Sequence, residues 1–294
     1  MNNQDNEKVF QKSQINWYPG HMAKTKRQIS EQLNLIDVVF EVVDARMPIS
    51  SKIADIDDLI KDKKRVLVMT KYDLCDKEET DKIAKYYEEL GYKVVKLDLM
   101  NNSNLNELLK VTEDIMKEKN KKREEKGLKA RNGRVLIVGV PNAGKSTLIN
   151  RLVGRKSVGV ANTPGFTKNL SWIRINKDLE LLDSPGILWP KFDDQEQAHI
   201  LAAFSSIKED ILNRDQIAIF IIKKLYELYP ELLEERYGIT ELDEDFIEVY
   251  DTIAARRGCL SRGGVADYEK VSNIIINDLK NGSTGKVTFD RLKD

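Results

Sequence analysis

Cysteine is almost missing from this chain. Cys75 and Cys259 are the only two in 294 residues, too few for a disulfide framework or a cysteine-built zinc site. Histidine is as scarce, limited to His21 and His199. Long hydrophobic runs are missing as well. The apolar stretches at 38–40 and 217–222 fall far short of the roughly 20 residues that cross a bilayer. Residues 1–8 carry no apolar core, so no signal peptide is expected. Net charge is absent, because 48 Lys and Arg balance 48 Asp and Glu. These gaps disfavour a secreted mini-protein, a membrane-spanning protein and a zinc protein. Taken alone, neutrality also argues against a nucleic-acid partner.

What is present is a globular composition, 41% hydrophobic and 33% charged, with length for about two domains. Apolar strands are expected at 38–43, 65–69, 93–97, 135–138, 170–175 and 179–182. Helical periodicity falls at 22–36, 53–60, 76–90 and 104–119 and after 144. Alternating strands and helices predict an α/β fold with a mostly parallel, six-stranded sheet. Beyond residue 195 strand signals fade and helices at 216–228 and 245–255 take over. The expected division is an α/β domain over 1–194 and a smaller all-α domain over 195–294. Segment 117–134 holds nine basic and three acidic residues and reads as an exposed helix end plus connector.

Gly139-Val140-Pro141-Asn142-Ala143-Gly144-Lys145-Ser146 satisfies G-x-x-x-x-G-K-[ST] between a strand and a helix. Backbone N–H groups of such a loop cradle phosphates, aided by the helix N-terminus. Asn142, Ala143, Gly144 and Thr147 are expected to line the nucleotide. Lys145 is expected to reach the β/γ-phosphates, and Ser146 to bind Mg²⁺. Asp183-Ser184-Pro185-Gly186 follows a strand, where ligands bind in α/β sheets. Asp183 is a candidate for Mg²⁺ and Gly186 for a γ-phosphate contact. Between them, Thr167, with Thr163 as the alternative, is the candidate switch threonine and a further Mg²⁺ ligand. Ile187 stands where many GTPases place a water-orienting Gln, and its side chain cannot do that work.

Thr70-Lys71-Tyr72-Asp73 closes the second strand and fits the guanine-reading pattern N/T-K-x-D. The Asp73 carboxylate can accept hydrogen bonds from guanine N1–H and the exocyclic amine, a donor pair that adenine lacks. Taken alone the motif reads equally well as a helix cap. The strand at 93–97 then leads to Asp98-Leu99-Met100-Asn101, where a second base-contacting loop usually reads Ser-Ala. Its contact is a backbone N–H, so Asp98 and Leu99 remain candidates. The base-reading motifs precede the phosphate loop, so the strands run fourth, fifth, sixth, first, second, third. That order is a circular permutation, tolerated because domain termini lie close together.

With these motifs, Trp17-Tyr18-Pro19-Gly20-His21-Met22-Ala23-Lys24, Asp44-Ala45-Arg46-Met47-Pro48, Pro164-Gly165-Phe166-Thr167, Ala254-Ala255-Arg256-Arg257-Gly258 and Gly285-Lys286, the chain resembles the circularly permuted GTPases of the ribosome biogenesis GTPase A family. The resemblance implies a bacterial, cytoplasmic enzyme that hydrolyses GTP to GDP and phosphate late in large (50S) ribosomal subunit assembly. It implies slow turnover alone, activation by the subunit, and contacts with ribosomal RNA and ribosomal proteins. No membrane or DNA partner is expected, and the free protein is expected to be a monomer. It makes His21 the candidate to orient the attacking water, and Asn142 a candidate ligand for K⁺ that stimulates hydrolysis. Two other readings are an RNA-binding scaffold whose nucleotide state gates docking, and a small-subunit assembly GTPase. Against the last stand the missing zinc-site cysteines and the lack of an extra strand-rich domain.

Arg256, Arg257 and Arg262 suit phosphate contacts. Trp17, Tyr18, Trp172 and Trp189 read as packing or loop anchors. Residues 195–294 hold thirteen basic and nineteen acidic residues, so neutrality is a cancellation between patches. Patches, not the sum, meet RNA phosphates.

Overall fold

A computed structural model of the chain describes residues 20–53, 56–60, 63–101, 104–154, 171–184, 195–207, 213–261 and 263–292. Six strands make one sheet in the order β3-β2-β1-β4-β6-β5. They are β1 (Val38–Asp44), β2 (Lys64–Thr70), β3 (Lys93–Lys96), β4 (Gly133–Gly139), β5 (Ser171–Arg174) and β6 (Leu179–Asp183). All neighbours are parallel except β5 and β6. The mostly parallel sheet and the permuted strand order are therefore as expected. Every residue of β1 is buried, as a central parallel strand covered on both faces requires.

Alternation along β1 divides the core. Val38, Phe40 and Val42 join one large cluster with Ile137 and Leu148. Val39 faces the other way, with Leu136 and Leu182, under Ile29, Leu33 and Ile36. That cover is α1 (Gly20–Gln32) and the 3₁₀ turn Leu33–Leu35. Val43, Leu67 and Met69 pack with Ile83 and Ala84 of α3 (Lys77–Glu89). Asp76 caps α3 by accepting from Glu78 N and Glu79 N, a device worth about 1 kcal/mol. The short α2 (Ile56–Ile60) packs Ile56 and Ile60 with Val39 and Leu136.

Helix α4 (Leu105–Glu124) runs five residues past the expected end at 119. Its basic last turn, Lys121 to Arg123, complements the negative helix end. The basic connector then folds back. Asn120 Nδ2 donates to Arg131 O at 3.2 Å, and Arg131 N donates to Asn120 Oδ1 at 3.3 Å.

After α5 (Lys145–Val153) come α6 (Gln195–Ala203), α7 (Arg214–Leu228), α8 (Pro230–Tyr237), α9 (Ile247–Arg257) and α10 (Tyr268–Asn281). Helices α8 and α10 go beyond the elements expected from the sequence. The large apolar cluster runs on through Ile200, Ile221, Leu233, Ile253 and Ile275 without a break. The segment after α10 is not helical. It returns to the sheet, where Phe289 N donates to Arg46 O at 2.8 Å. Asp290 accepts from Ile49 N, Ser50 N and Ser50 Oγ at 2.6, 2.8 and 2.5 Å. No described helix is long and apolar enough to cross a membrane. Cys75 and Cys259 are free and buried.

Candidate functional site

The phosphate loop follows β4 at the carboxyl end of the sheet. Gly139 is imposed by packing, because a Cβ there would sit 2.4 Å from Val42 O. Gly144 has φ +92°, and a Cβ would lie 3.1 Å from Thr70 Oγ1. Asn142 is also left-handed, at φ 59°. Lys145 opens α5 and is 7% exposed. Its Nζ donates to Gly139 O and Val140 O at 3.0 and 2.9 Å, which curls the loop around the ammonium. Ser146 and Thr147 follow on the first turn, half-buried.

Asp183 ends β6 and is 1% exposed. Burial pushes its carboxyl above the ordinary range, against the attraction of Lys145, and burial pushes the Lys145 ammonium down. Asp183 Oδ1 has no hydrogen-bond partner among the described residues. A buried carboxylate oxygen without a donor costs a few kcal/mol unless a cation or water serves it. The donor set of Asp183 and Ser146 is hard oxygen, which fits Mg²⁺.

The 70–73 segment sits beside the phosphate loop. Thr70 Oγ1 donates to Ala143 O at 2.6 Å, and Lys71 Nζ donates to Asn142 O at 2.8 Å. Lys71 is itself left-handed at φ 56°. Two non-glycine residues in that region, one bonded to the other, hold strain of about 1–3 kcal/mol each. Such strain persists where the surroundings over-determine the backbone. Asp73 is half-buried at the end of the segment. After β3, Asp98 Oδ1 accepts from Met100 N and Asn101 N at 2.9 and 3.1 Å, and Oδ2 accepts from Asn101 Nδ2 at 2.6 Å. Partial burial works to raise the Asp98 carboxyl, but these bonds from Asn101 and Met100 outweigh it and hold it low. This acid builds the turn that carries Leu99.

Three partners of the site carried no role in the residue-level reading. Asp44 is fully buried and accepts from Arg46 Nε and Nη2 at 3.0 and 2.8 Å and from Lys71 Nζ at 2.8 Å. Burial works against its charge, but Arg46 and Lys71 hold the carboxyl well below the usual range. Arg46 Nη1 donates onward to Leu279 O and Lys280 O at 3.1 and 3.0 Å, carbonyls in the last turn of α10. From the segment after α6, Ser205 O accepts from Asn142 Nδ2 at 2.7 Å, and Ser206 Oγ donates to Pro141 O at 2.9 Å. An acid ending a strand next to a strand-ending lysine was a readable signal for Asp44. Nothing local marks Ser205 or Ser206.

Lys145, Ser146, Asp183, Asn142, Thr70, Lys71 and Asp98 thus meet at one end of the sheet. Thr163, Thr167, Gly186, Ile187, Trp17, Tyr18, Trp189 and Arg262 lie outside the described residues. His21 lies in the first turn of α1, and its side chain falls outside the description too. His199 bonds Gln195 O at 2.7 Å and stacks on Phe220 with centroids 5.2 Å apart, a packing histidine.

A family model described as 50S ribosome-binding GTPase matches residues 134–257. Ribosome biogenesis GTPase A of Bacillus cereus is 43% identical over 94% of this chain and 93% of that protein. The Thermotoga maritima protein of that name is 32% identical over 95% of each. The crystal structure of GNP-bound YlqF from T. maritima superposes with a TM-score of 0.64 at 28% identity, covering 92% of this chain and 99% of that one. A GDP-bound structure of the same protein gives 0.65.

Proposed function

The chain belongs to the ribosome biogenesis GTPase A family, and on that premise we propose that its GTP hydrolysis serves late assembly of the large (50S) ribosomal subunit. The partners are ribosomal RNA and ribosomal proteins of that subunit, met in the cytoplasm by a monomer. The observation that carries the reading is the direct bonding of the 70–73 segment to the phosphate loop through Thr70–Ala143 and Lys71–Asn142. It gives one nucleotide a phosphate cradle and a base reader side by side.

In this reading Lys145 and the N–H groups of residues 142–147 hold the phosphates. Ser146 and Asp183, with Thr167, would hold Mg²⁺, which would supply charge neutralisation at the phosphoryl oxygens. Gly186 contacts the γ-phosphate. Asp73 accepts from the guanine edge, the Lys71 stem lies along the base, and the loop of Asp98 and Leu99 offers a backbone N–H. His21 orients water in place of Ile187, and Asn142 helps to hold a stimulating K⁺. Residues 1–194 form the nucleotide-handling unit, and 195–294 the helical unit that meets the ribosome with Arg256, Arg257 and Arg262.

The deciding experiment is GTP turnover with and without immature and mature large subunits, alongside small subunits. Stimulation by large-subunit particles is expected. No stimulation by any particle overturns the reading, and stimulation by small subunits alone transfers the role to that subunit. Equal rates in K⁺ and Na⁺ at matched ionic strength remove potassium from it.

A further inference from the structure

The end of the sheet opposite the phosphate loop carries a groove that the nucleotide chemistry does not use. Two adjoining cavities of about 340 and 420 Å³ share Leu35, Arg134 and Glu180. The first continues to Trp172 and Arg174, the second to Arg131 and Asn132. The sheet builds its floor. Arg134 pairs with Glu180 across β4 and β6, and Glu180 with Arg174 across β6 and β5. Residues directly opposite in a ladder share a face; Arg134 Nε donates to Glu180 Oε2 at 3.3 Å, and Arg174, on the same face, donates through Nε to Asn176 O at 3.1 Å. Trp172, two residues from Arg174 on the edge strand, projects from the same face.

Trp172 was expected to be a packing or loop anchor. It is 41% exposed, with the Arg134 guanidinium 5.4 Å from its ring centroid. Leu35, which also lines the groove, is exposed to the same degree. Cations continue past the groove. Lys119 and Arg131 both pair with the buried Asp37, at 2.5 and 2.8 Å. Lys63 Nζ caps Ile36 O at 2.9 Å. Burial first, then repulsion from Lys119 and Arg131 against the attraction of Asp37, lowers the Lys63 ammonium.

We propose that this groove binds single-stranded RNA, with one base stacked on Trp172 and the flanking phosphates held by Arg174 and Arg131. Aromatic rings supply a sequence-tolerant stacking platform, and guanidinium groups match phosphate in a bidentate fork. An exposed indole between arginines suits that ligand. The excess of cations over Glu180 and Asp37 favours a polyanion over an apolar peptide. The site lies at the far end of the strands from Lys145, so RNA can be held there without obstructing the nucleotide. The proposal rests on the reading of the chain as a protein that works on ribosomal RNA.

The test is fluorescence anisotropy of a labelled eight-nucleotide oligoadenylate with the full chain and GDP, at several salt concentrations. Trp172→Leu should weaken binding about tenfold, whereas Trp172→Phe, which keeps a stacking ring, should stay within about threefold. Arg174→Glu should weaken binding and flatten the salt dependence by about 0.7 in log–log slope for each phosphate no longer held. Thermal midpoint and GTP turnover should not change, and Arg174→Glu carries the test if Trp172→Leu fails to fold. An oligonucleotide that does not bind the unaltered chain, or binds all variants equally, overturns the proposal. Co-sedimentation with large-subunit particles separates the two readings. Its failure in the unaltered chain sinks the ribosomal role, whereas retention in groove variants with unchanged oligonucleotide binding sinks the groove alone. Variants that no longer bind particles but keep the oligonucleotide assign the groove to an acidic protein segment and overturn the RNA ligand.

Discussion

Arg46 and Lys71 share one carboxylate. Asp44 accepts from both, at 2.8 Å to Arg46 Nη2 and 2.8 Å to Lys71 Nζ, and Arg46 Nη1 reaches the end of α10. The guanidinium also lies 4.4 Å from the Phe204 ring centroid, so it is walled in by apolar and polar partners alike. Removing it leaves a buried charge with half its partners. Arg46→Ala is expected to destabilise the fold by about 3–5 kcal/mol, read from denaturant midpoints. Arg46→Lys should recover little, because an ammonium cannot form the fork. A loss below about 1 kcal/mol in both variants would show that Lys71 alone satisfies Asp44.

On the proposed reading, Asp183 gives nucleotide binding a pH signature. Its carboxyl is raised by burial, so the folded, metal-free protein holds that proton above the ordinary carboxylate pKa of about 4. Mg²⁺ requires the ionised form, and its binding must expel the proton. Mg²⁺-dependent GTP affinity is therefore expected to tighten as pH rises from about 4 toward neutrality. Asp183→Asn should remove most of the Mg²⁺ dependence. Calorimetric titration at several pH values checks both, and a pH-independent Mg²⁺ affinity over that span removes Asp183 from the metal.

Asp73→Asn replaces an acceptor-only group by one that also donates. On the proposed reading, the change removes two charge-assisted bonds to guanine, each worth about 1.5–3 kcal/mol. GTP affinity should fall at least about tenfold, with ATP affinity little changed, measured by competition against a fluorescent nucleotide. Unchanged GTP affinity returns the 70–73 segment to its reading as a helix cap.

Asp290 fastens the C-terminal segment by accepting from two backbone N–H groups and the Ser50 hydroxyl. Asp290→Ala strands buried donors, at about 1–3 kcal/mol. Limited proteolysis should then cut after α10 faster than in the unaltered chain, while the sheet resists. Equal cutting rates would mean that the other bonds of residues 287–289, such as Phe289 N to Arg46 O and Thr288 N to Tyr229 Oη, hold the segment without it.

Much of the α/β architecture was legible in the pattern. The run at 135–138 is continuous and apolar, and that at 38–43 is broken only by Glu41, because both faces of a central parallel strand are covered. The phosphate loop was legible because its glycines answer local demands, such as the Val42 carbonyl pressing on Gly139. The placement of the T-K-x-D segment at a strand end was legible, but its anchorage was not, since Arg46 acts across 233 residues to Leu279. Helix α8 escaped because eight residues hold barely two turns of period. In α10 the run Ile274-Ile275-Ile276 is as compatible with a buried strand as with a helix. The exposure of Trp172 was not legible, because tryptophan is highly buried on average and only the structure places it on the edge strand β5.

The bond from Arg46 to Leu279 also sets a clock. A chain is made from its N-terminus at about 5–20 residues per second, so those 233 residues take roughly 10–50 s to emerge. Through that interval Asp44 and Lys71 exist without the far end of their clamp. Ser205 and Ser206, 63 and 65 residues downstream of their partners in the phosphate loop, arrive much sooner. The bonds of Ser205 and Ser206 to the phosphate loop can thus form before the one that ties Arg46 to α10; on the proposed reading, the cradle then settles before the base reader. Competence to tell guanine from adenine should be among the last properties acquired during synthesis.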